Sequence, residues 1–182
     1  FATVTGSSTK LQPGTYTLDT DMDYRAIITN MGSSSANRAT VSVTFVEGST
    51  TDQIFQLMEE NGVAKVDELK EMAANYDYAF SFLQEIPLGD YRRLEGYLFP
   101  DTYTFYLNED PKTAINKLLV NFDARFTEEM RQQVAQSEYT IREILTIASM
   151  IEKETDGTDQ GTIASVIYNR LNNTSAETMG YL

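Results

Sequence analysis

The sequence predicts an α+β protein: a small strand–helix–strand–helix unit over residues 1–62, followed by a mainly helical region over residues 63–182. Three observations carry this. Thr40 to Val46 alternates polar and apolar, with Val41, Val43 and Phe45 on one face, as a half-buried strand does. The pairs Thr50/Gln53 and Thr140/Glu143 have capping-box spacing, in which an N-cap hydroxyl and the side chain three residues on satisfy each other's backbone N–H groups. Beyond Gly62 apolar residues recur mostly at helical spacing, most clearly Ile141, Ile144, Leu145, Ile147, Ala148 and Ile151.

Taken in order, Thr15 to Leu18 follows the turn residues Pro13 and Gly14 and reads as a short strand. Asp21 to Met31 reads as a helix on Met22, Ile27, Ile28 and Met31, and Gly32 to Asn37 as a turn-rich connector. After the Thr40–Val46 strand, Thr50 opens a helix through Ile54, Leu57 and Met58, which Asn61-Gly62 closes. Asp67 to Asn75 is a further helix, whereas Tyr76, Tyr78, Phe80 and Phe82 follow no clear period. Asp110 as N-cap with Pro111 behind it starts a helix through Ile115, Leu118, Leu119 and Phe122. Thr127 caps the next, and Thr140 the one that ends at Glu154. Asp156 to Gly161 turns the chain into a last helix, Thr162 to Leu171, whose stripe of Ile163, Val166, Ile167 and Leu171 faces its predecessor in a hairpin. Asn172 to Thr178 is polar, has no stripe and is expected to fray.

Composition narrows the chemistry by what it lacks. With no His and no Cys the chain cannot build a Ser-His-Asp or Cys-His nucleophile, a thiolate zinc site or a histidine-ligated metal centre. An all-oxygen cation site stays open in principle, but no D-x-[DN]-x-[DN]-G loop supports one, and no metal or cofactor is expected. Acid and base work by carboxylates is the default enzymatic reading. A net charge of −13, from 27 acidic and 14 basic residues, argues against nucleic acid, whose phosphates require a basic face. No apolar run reaches the roughly 20 residues needed to span a bilayer. The chain opens at Phe1 without a methionine, consistent with an upstream segment.

The best functional clue is Glu152. At about 100° per residue it falls inside the apolar stripe of its own helix, whereas Glu154 falls near the stripe's edge beside Glu143. Burial penalises a charged carboxyl, so a glutamate placed there could keep a proton near neutral pH and donate it as a general acid. The plain alternative is a solvated or ion-paired glutamate at a helix end. A second segment, Leu94-Glu95-Gly96-Tyr97-Leu98-Phe99-Pro100-Asp101-Thr102-Tyr103, fits neither period cleanly. Flat rings beside carboxylates suit a sugar, whose C–H face stacks and whose hydroxyls donate. An aromatic core loop with an Asp-Thr turn is the other reading, and Glu95 with Asp101 as a metal pair is the poorer one.

These segments resemble a known family. L-E-G-Y-L-F-P-D-T-Y at Leu94–Tyr103, A-S-M-I-E-K-E-T at Ala148–Thr155 and I-A-S-V-I-Y-N-R-L at Ile163–Leu171 are similar to motifs of the YceG-like, or MltG, endolytic murein transglycosylases. L-Q-P-G-T-Y-T-L at Leu11–Leu18 and V-T-F-V-E-G-S-T at Val43–Thr50 resemble that family's LysM-like subdomain. The resemblance implies a LysM-like subdomain over 1–62 and a catalytic transglycosylase domain, C-terminally incomplete, over 63–182.

It further implies cleavage of the β-1,4 bond between N-acetylmuramic acid and N-acetylglucosamine in nascent peptidoglycan, with a 1,6-anhydro end. The catalytic glutamate, first acid of E-K-E-T, falls on Glu152, the residue the helix geometry also selects. Glu95, Tyr97, Asp101, Tyr103, Asn169 and Arg170 are then expected to bind substrate in one cleft with it. Peptidoglycan strands would be the partner, together with the wall-synthesis machinery. Family members usually begin with a transmembrane helix and continue past the N-R-L helix into an L-Q-x-D-P-T segment, so this chain is expected to be a fragment of a single-pass enzyme of the cytoplasmic membrane, facing outward. A wall-binding module without turnover, and a hydrolase pairing Glu152 with Glu95 or Asp101, are the alternatives.

Overall fold

The computed structural model describes residues 24, 27, 28, 31, 39–155 and 157–172. The chain forms two compact units, Phe1–Asn121 and Phe122–Leu182. Of the expected early elements, the strand at 15–18 and the connector at 32–37 lie outside the described residues, as does the polar tail beyond Asn172; Tyr24, Ile27, Ile28 and Met31 are helical.

The first unit is built on a two-stranded antiparallel sheet. Strand β1 (Thr40–Thr44) pairs with β2 (Thr102–Tyr106), Val41 opposite Phe105 and Val43 opposite Tyr103. Alternation puts Val43, Phe45 and Phe105 in the core, each no more than 3% exposed, with the half-buried Tyr103 beside them. The outer face carries hydroxyl pairs, Thr44 with Thr102 at 2.8 Å and Ser42 with Thr104 at 3.4 Å. Between the strands run α1 (Thr51–Glu60) and α2 (Val66–Asn75), which bury Ile54, Phe55, Met58, Leu69 and Ala73. The Thr50/Gln53 capping box forms as the sequence predicts. Gly62 ends the turn after α1 at φ +71°, a conformation that a β-carbon disfavours, and its carbonyl accepts from Asn108 at 2.9 Å.

A helix, α3 (Pro111–Arg125), follows β2 and buries Ala114, Ile115, Leu118 and Leu119, and the division between the units falls within it. The Asp110 carboxylate accepts from the Thr113 N–H at 3.1 Å, as expected of its N-cap.

Two expectations change here. The front unit does not close at residue 62, because the partner that β1 needs is β2: Ser42 and Thr104, one rung of the ladder, are 62 residues apart. An isolated β1 would leave its N–H and C=O groups without partners, so the unit extends through the strand–helix–helix–strand order and on into α3. The second change is β2 itself, a strand inside the stretch read as helical or irregular.

The second unit contains the end of α3, then α4 (Glu128–Gln136), α5 (Ile141–Glu154) and α6 (Gln160–Asn172). Thr127 accepts from the Met130 N–H at 3.3 Å, and the Thr140/Glu143 capping box is complete. The last two helices form the expected hairpin. The rings of Tyr139 and Tyr168 lie 5.2 Å apart and the Tyr139 hydroxyl donates to Asn172 Oδ1 at 2.9 Å, so α5 begins where α6 ends and the two run antiparallel. Ile147 is the buried anchor of α5. The stripe expected on α6 shifts: Ile163 and Ile167 are half-buried with Ala164 and Tyr168, but Val166 and Leu171 are 43% and 49% exposed. A helix meets its neighbour over a strip set by crossing geometry, which sequence spacing alone leaves free by one position. Among the described residues no helix is long and apolar enough to cross a membrane.

Candidate functional site

In the first unit, the chain from Leu94 to Tyr103 divides its side chains sharply. Asp90 caps the short 3-10 turn Tyr91–Leu94, accepting from the Arg92 N–H at 2.9 Å, and Gly96 follows at φ +85°. That bend sends Leu94, Tyr97 and Leu98 into the core and leaves Glu95 outside. Tyr97 is 1% exposed and stacks on Phe82 at 5.5 Å, with 11° between the planes. Its expected contact with substrate is therefore corrected: the ring packs the interior, because a face covered by Phe82 gains more from burial than from water.

Glu95 turns both carboxylate oxygens to the Thr51 N–H, each at 3.2 Å, and so sits at the positive N-terminus of α1. Nearby, on the same first turn, Asp52 meets Lys70 at 2.6 Å and accepts from the Tyr91 hydroxyl at 3.1 Å. The hydrogen bond from Lys70, with that from Tyr91, holds the Asp52 carboxyl below the usual carboxylate range, and Asp52 in turn raises Lys70. This exposed cluster ties α1 and α2 to the Tyr91–Leu94 turn.

Asp101 and Tyr103 are brought together. Asp101 is exposed, its Oδ1 accepts from the Thr102 N–H at 2.8 Å, and its carbonyl accepts from Phe45 N at 3.0 Å, which extends the ladder by one rung. The Tyr103 hydroxyl donates to the Phe99 carbonyl at 2.7 Å. Between them stands Asn121, whose amide nitrogen donates to Asp101 Oδ2 at 3.0 Å and to the Tyr103 oxygen at 2.8 Å. Glu95 and Asp101 are thus committed to separate donors and do not converge as a metal pair.

Sequence reasoning passed over Asn121. Its signal in the sequence was weak: Asn121 follows Leu118 by three residues but Lys117 by four, so it sits at the polar edge of the helix's apolar face.

In the second unit, Glu152 occupies the last turn of α5 and is exposed, as is Glu154. The burial expected of Glu152 on its helix's apolar face is not found. Only Ile147 of that stripe is buried, so the face is too shallow to enclose a carboxylate near the helix end. At the other end of α5 the backbone N–H and the hydroxyl of Thr140 hold the Glu143 carboxyl below its ordinary range.

Asn169 and Arg170 are also exposed, on α6 beside Tyr168, which meets Tyr139 at the start of α5. Glu152 lies about 16 Å along the helix axis from that start at ~1.5 Å per residue, so the hairpin holds the two groups near opposite ends. The expected gathering of Asn169 and Arg170 around Glu152 is not seen within this unit, and the antiparallel run of the hairpin is the reason. Glu95, Tyr97, Asp101 and Tyr103 belong to the first unit.

Comparison with known proteins places this arrangement in context. The chain is 30% identical over 184 residues to the endolytic murein transglycosylase of Streptococcus pneumoniae serotype 2 (strain D39), covering 90% of this chain and 33% of that protein. It is 30% identical over 175 residues to the endolytic murein transglycosylase of Bacillus subtilis (strain 168), covering 88% of this chain and 47% of that one. The chain therefore spans between a third and a half of the length of these relatives. Its fold is similar to the crystal structure of a Listeria monocytogenes protein described as YceG-like, with a TM-score of 0.58 and 25% identity over 93% of this chain and 59% of that one. The model of the YceG-like family matches residues 1–180, and the chain belongs to that family.

Proposed function

We propose that this chain carries the catalytic region of a peptidoglycan lytic transglycosylase, with Glu152 as its acid and base. The observation that carries the reading is 30% identity across 90% of the chain to a protein named endolytic murein transglycosylase, together with the position of Glu152 as first acid of E-K-E-T at an exposed helix end. With neither His nor Cys in the chain, a carboxyl group is the natural carrier of the proton.

The bond proposed is the β-1,4 link between N-acetylmuramic acid and N-acetylglucosamine. Glu152 in its acid form gives its proton to the glycosidic oxygen as the C1–O bond breaks. Its carboxylate then takes the proton of the C6 hydroxyl as that oxygen bonds to C1, which closes the 1,6-anhydro ring and returns Glu152 to its acid form. No water enters and no second catalytic carboxylate is required, unlike the paired carboxylates of hydrolases. Proton transfer of this kind contributes about 10²- to 10⁴-fold. Asp101 and Tyr103 are proposed to contact sugar. Asn169 and Arg170 would meet the polymer away from the bond being cut, since a glycan strand runs past more than one point of the surface. Glu95 supports this arrangement through α1. The reaction is proposed to occur outside the cytoplasmic membrane, where peptidoglycan lies, with the whole protein anchored in that membrane.

The test is digestion of uncrosslinked glycan strands by the intact protein, with mass spectrometry of the new ends. Anhydro ends are expected; a reducing end heavier by about 18 mass units, one water, would identify a hydrolase instead. Glu152→Gln should abolish cleavage with the fold retained, and Glu154→Gln should cost far less. Near-normal turnover by Glu152→Gln, or strand binding without any new ends, overturns the proposal.

A further inference from the structure

We propose that the groove between the end of β1 and the outer face of α1 is a docking site for the peptide stem of peptidoglycan, with Glu60 as the contact for the stem's side-chain ammonium. The proposal rests on the reading of the chain as acting on peptidoglycan and adds to it a contact with the peptide part of that polymer.

The groove lies wholly within the first unit, is open to solvent and has a volume of about 550 Å³. Its shape follows from α1, which turns Thr51, Ile54, Phe55 and Met58 inward. Gln53, Gln56, Leu57 and Glu60, spaced by three and four residues, share the other face and form one wall. The end of β1 supplies the opposite wall through Phe45 and Val46. The lining between them is aliphatic: Ile54 is buried, Leu57 is half-buried, and Val46 stands 63% exposed at the rim. An apolar group laid over these side chains is favoured by the area it removes from water.

Neighbouring carboxylates on α1 have cations of their own. Glu59 meets Lys65 at 3.3 Å and Asp52 meets Lys70 at 2.6 Å. Glu60 is exposed, its Oε1 accepts from Gln56 Nε2 at 3.3 Å, and no cation among the described residues pairs with it. The two glutamines each keep one group for a ligand. Gln53 Oε1 takes the N–H and the hydroxyl of Thr50, at 2.8 and 3.2 Å, which leaves its NH2 as a donor; Gln56 gives its NH2 to Glu60, which leaves its oxygen as an acceptor.

The groove thus offers an aliphatic floor, a donor, an acceptor and an unpaired carboxylate, which repels an anionic ligand. A pyranose is served poorly, because the one ring among the described residues of the lining, Phe45, is 3% exposed and presents no face to stack on. A peptide uses every part. Its carbonyl and N–H groups match the two amides, small or straight side chains cover Val46 and Leu57, and an ammonium on a long alkyl chain reaches Glu60. The peptidoglycan stem has this make-up, with alanine methyls beside a diamino acid whose side chain ends in an amine. Cross-linking acylates that amine in the acceptor stem and removes its charge, so a contact at Glu60 favours stems that are not yet acceptors. One such contact is weak, but stems recur along a strand, which raises their effective concentration.

The probes are two soluble tripeptides, Nα-acetyl-L-Lys-D-Ala-D-Ala, whose side-chain amine is free, and its Nα,Nε-diacetyl form, which lacks that charge. Methyl NMR titration of the full chain reads the Kd of each, and the Val46 and Leu57 resonances report where it binds. The free-amine peptide should bind about threefold more tightly, the size of a solvent-exposed ion pair. Glu60→Gln should remove that preference, and Glu60→Lys should invert it. Val46→Thr should weaken both peptides by about twofold and leave their ratio unchanged. All three substitutions are at exposed side chains, so the fold should persist, and the remaining methyl resonances check that it does. Equal binding of the two peptides, binding of neither, a preference that survives in Glu60→Lys, or shifts at Val46 and Leu57 caused by the N-acetylglucosamine tetramer in place of the tripeptides overturns the proposal. Peptide binding needs no cleavage and should persist in Glu152→Gln, so an absence of anhydro ends counts against the transglycosylase reading alone.

Discussion

Lys117 and Glu109 meet at 2.9 Å at the end of β2, and they are unequally buried: the carboxylate side chain is 5% exposed and the ammonium side chain 32%. Glu109 also accepts from the Tyr106 N–H at 3.0 Å, and Lys117 bonds the Thr104 carbonyl, so the pair clasps the strand to α3. Replacing Lys117 by Met strands a buried carboxylate. The expected loss is about 2 kcal/mol, below the usual 3–5 for a wholly buried pair because the lysine is a third exposed. Urea unfolding measures it, and Glu109→Gln in the same background should recover part.

Tyr78 carries a buried hydroxyl that has no hydrogen-bond partner among the described residues, and burial pushes its pKa up. An unmet buried polar group costs about 1–3 kcal/mol. Tyr78→Phe should therefore leave stability unchanged or raise it by about 1 kcal/mol. A clear loss in the urea midpoint would mean that the hydroxyl is satisfied, for example by a buried water.

Tyr97 is a core ring, and its removal should be felt in stability first. Tyr97→Ala opens a cavity against Phe82 and should cost about 3–5 kcal/mol. A variant that unfolds at nearly the same denaturant concentration as the parent, yet binds glycan poorly, would return Tyr97 to the substrate-contacting residues.

The capping box of α5 gives a pH signature. The Thr140 N–H and hydroxyl bond the charged form of Glu143 and lower its folded pKa. The stabilisation is present above the ordinary carboxylate range and is lost as pH falls through the lowered value. Carboxyl NMR titration should show Glu143 with a midpoint below the ordinary glutamate value of 4.5. Between neutral pH and that midpoint the melting temperature of the parent should fall more than that of Glu143→Gln, whose amide does not titrate.

Gly62 combines φ +71° with a Leu107 Cδ2 that would lie 3.3 Å from an added β-carbon. Gly62→Ala should cost about 1–3 kcal/mol, chiefly through backbone strain, since a leucine methyl can yield. Differential scanning calorimetry checks it; a neutral result would mean that the turn relaxes to another conformation.

Local signals in the sequence reached as far as local forces do. Capping boxes at Thr50 and Thr140, the Asp110-Pro111 helix start, the Asn61-Gly62 stop and the Thr40–Val46 alternation all correspond to what forms, because each depends on atoms within about one turn of chain. The family could be named for a similar reason, since ordered motifs need no coordinates. Tertiary structure decided the rest. Thr102–Tyr106 is a strand because β1 leaves a ladder open 62 residues earlier, a demand that no window around Tyr103 contains, although its alternation of threonine with aromatic residues was there to be read. Tyr97 and Glu95, two residues apart, parted to interior and surface at the Gly96 bend, and Glu152 came out exposed although its helical angle placed it among isoleucines. Periodicity ranks the faces of a helix by polarity; how deeply a face is buried depends on what the rest of the chain lays against it.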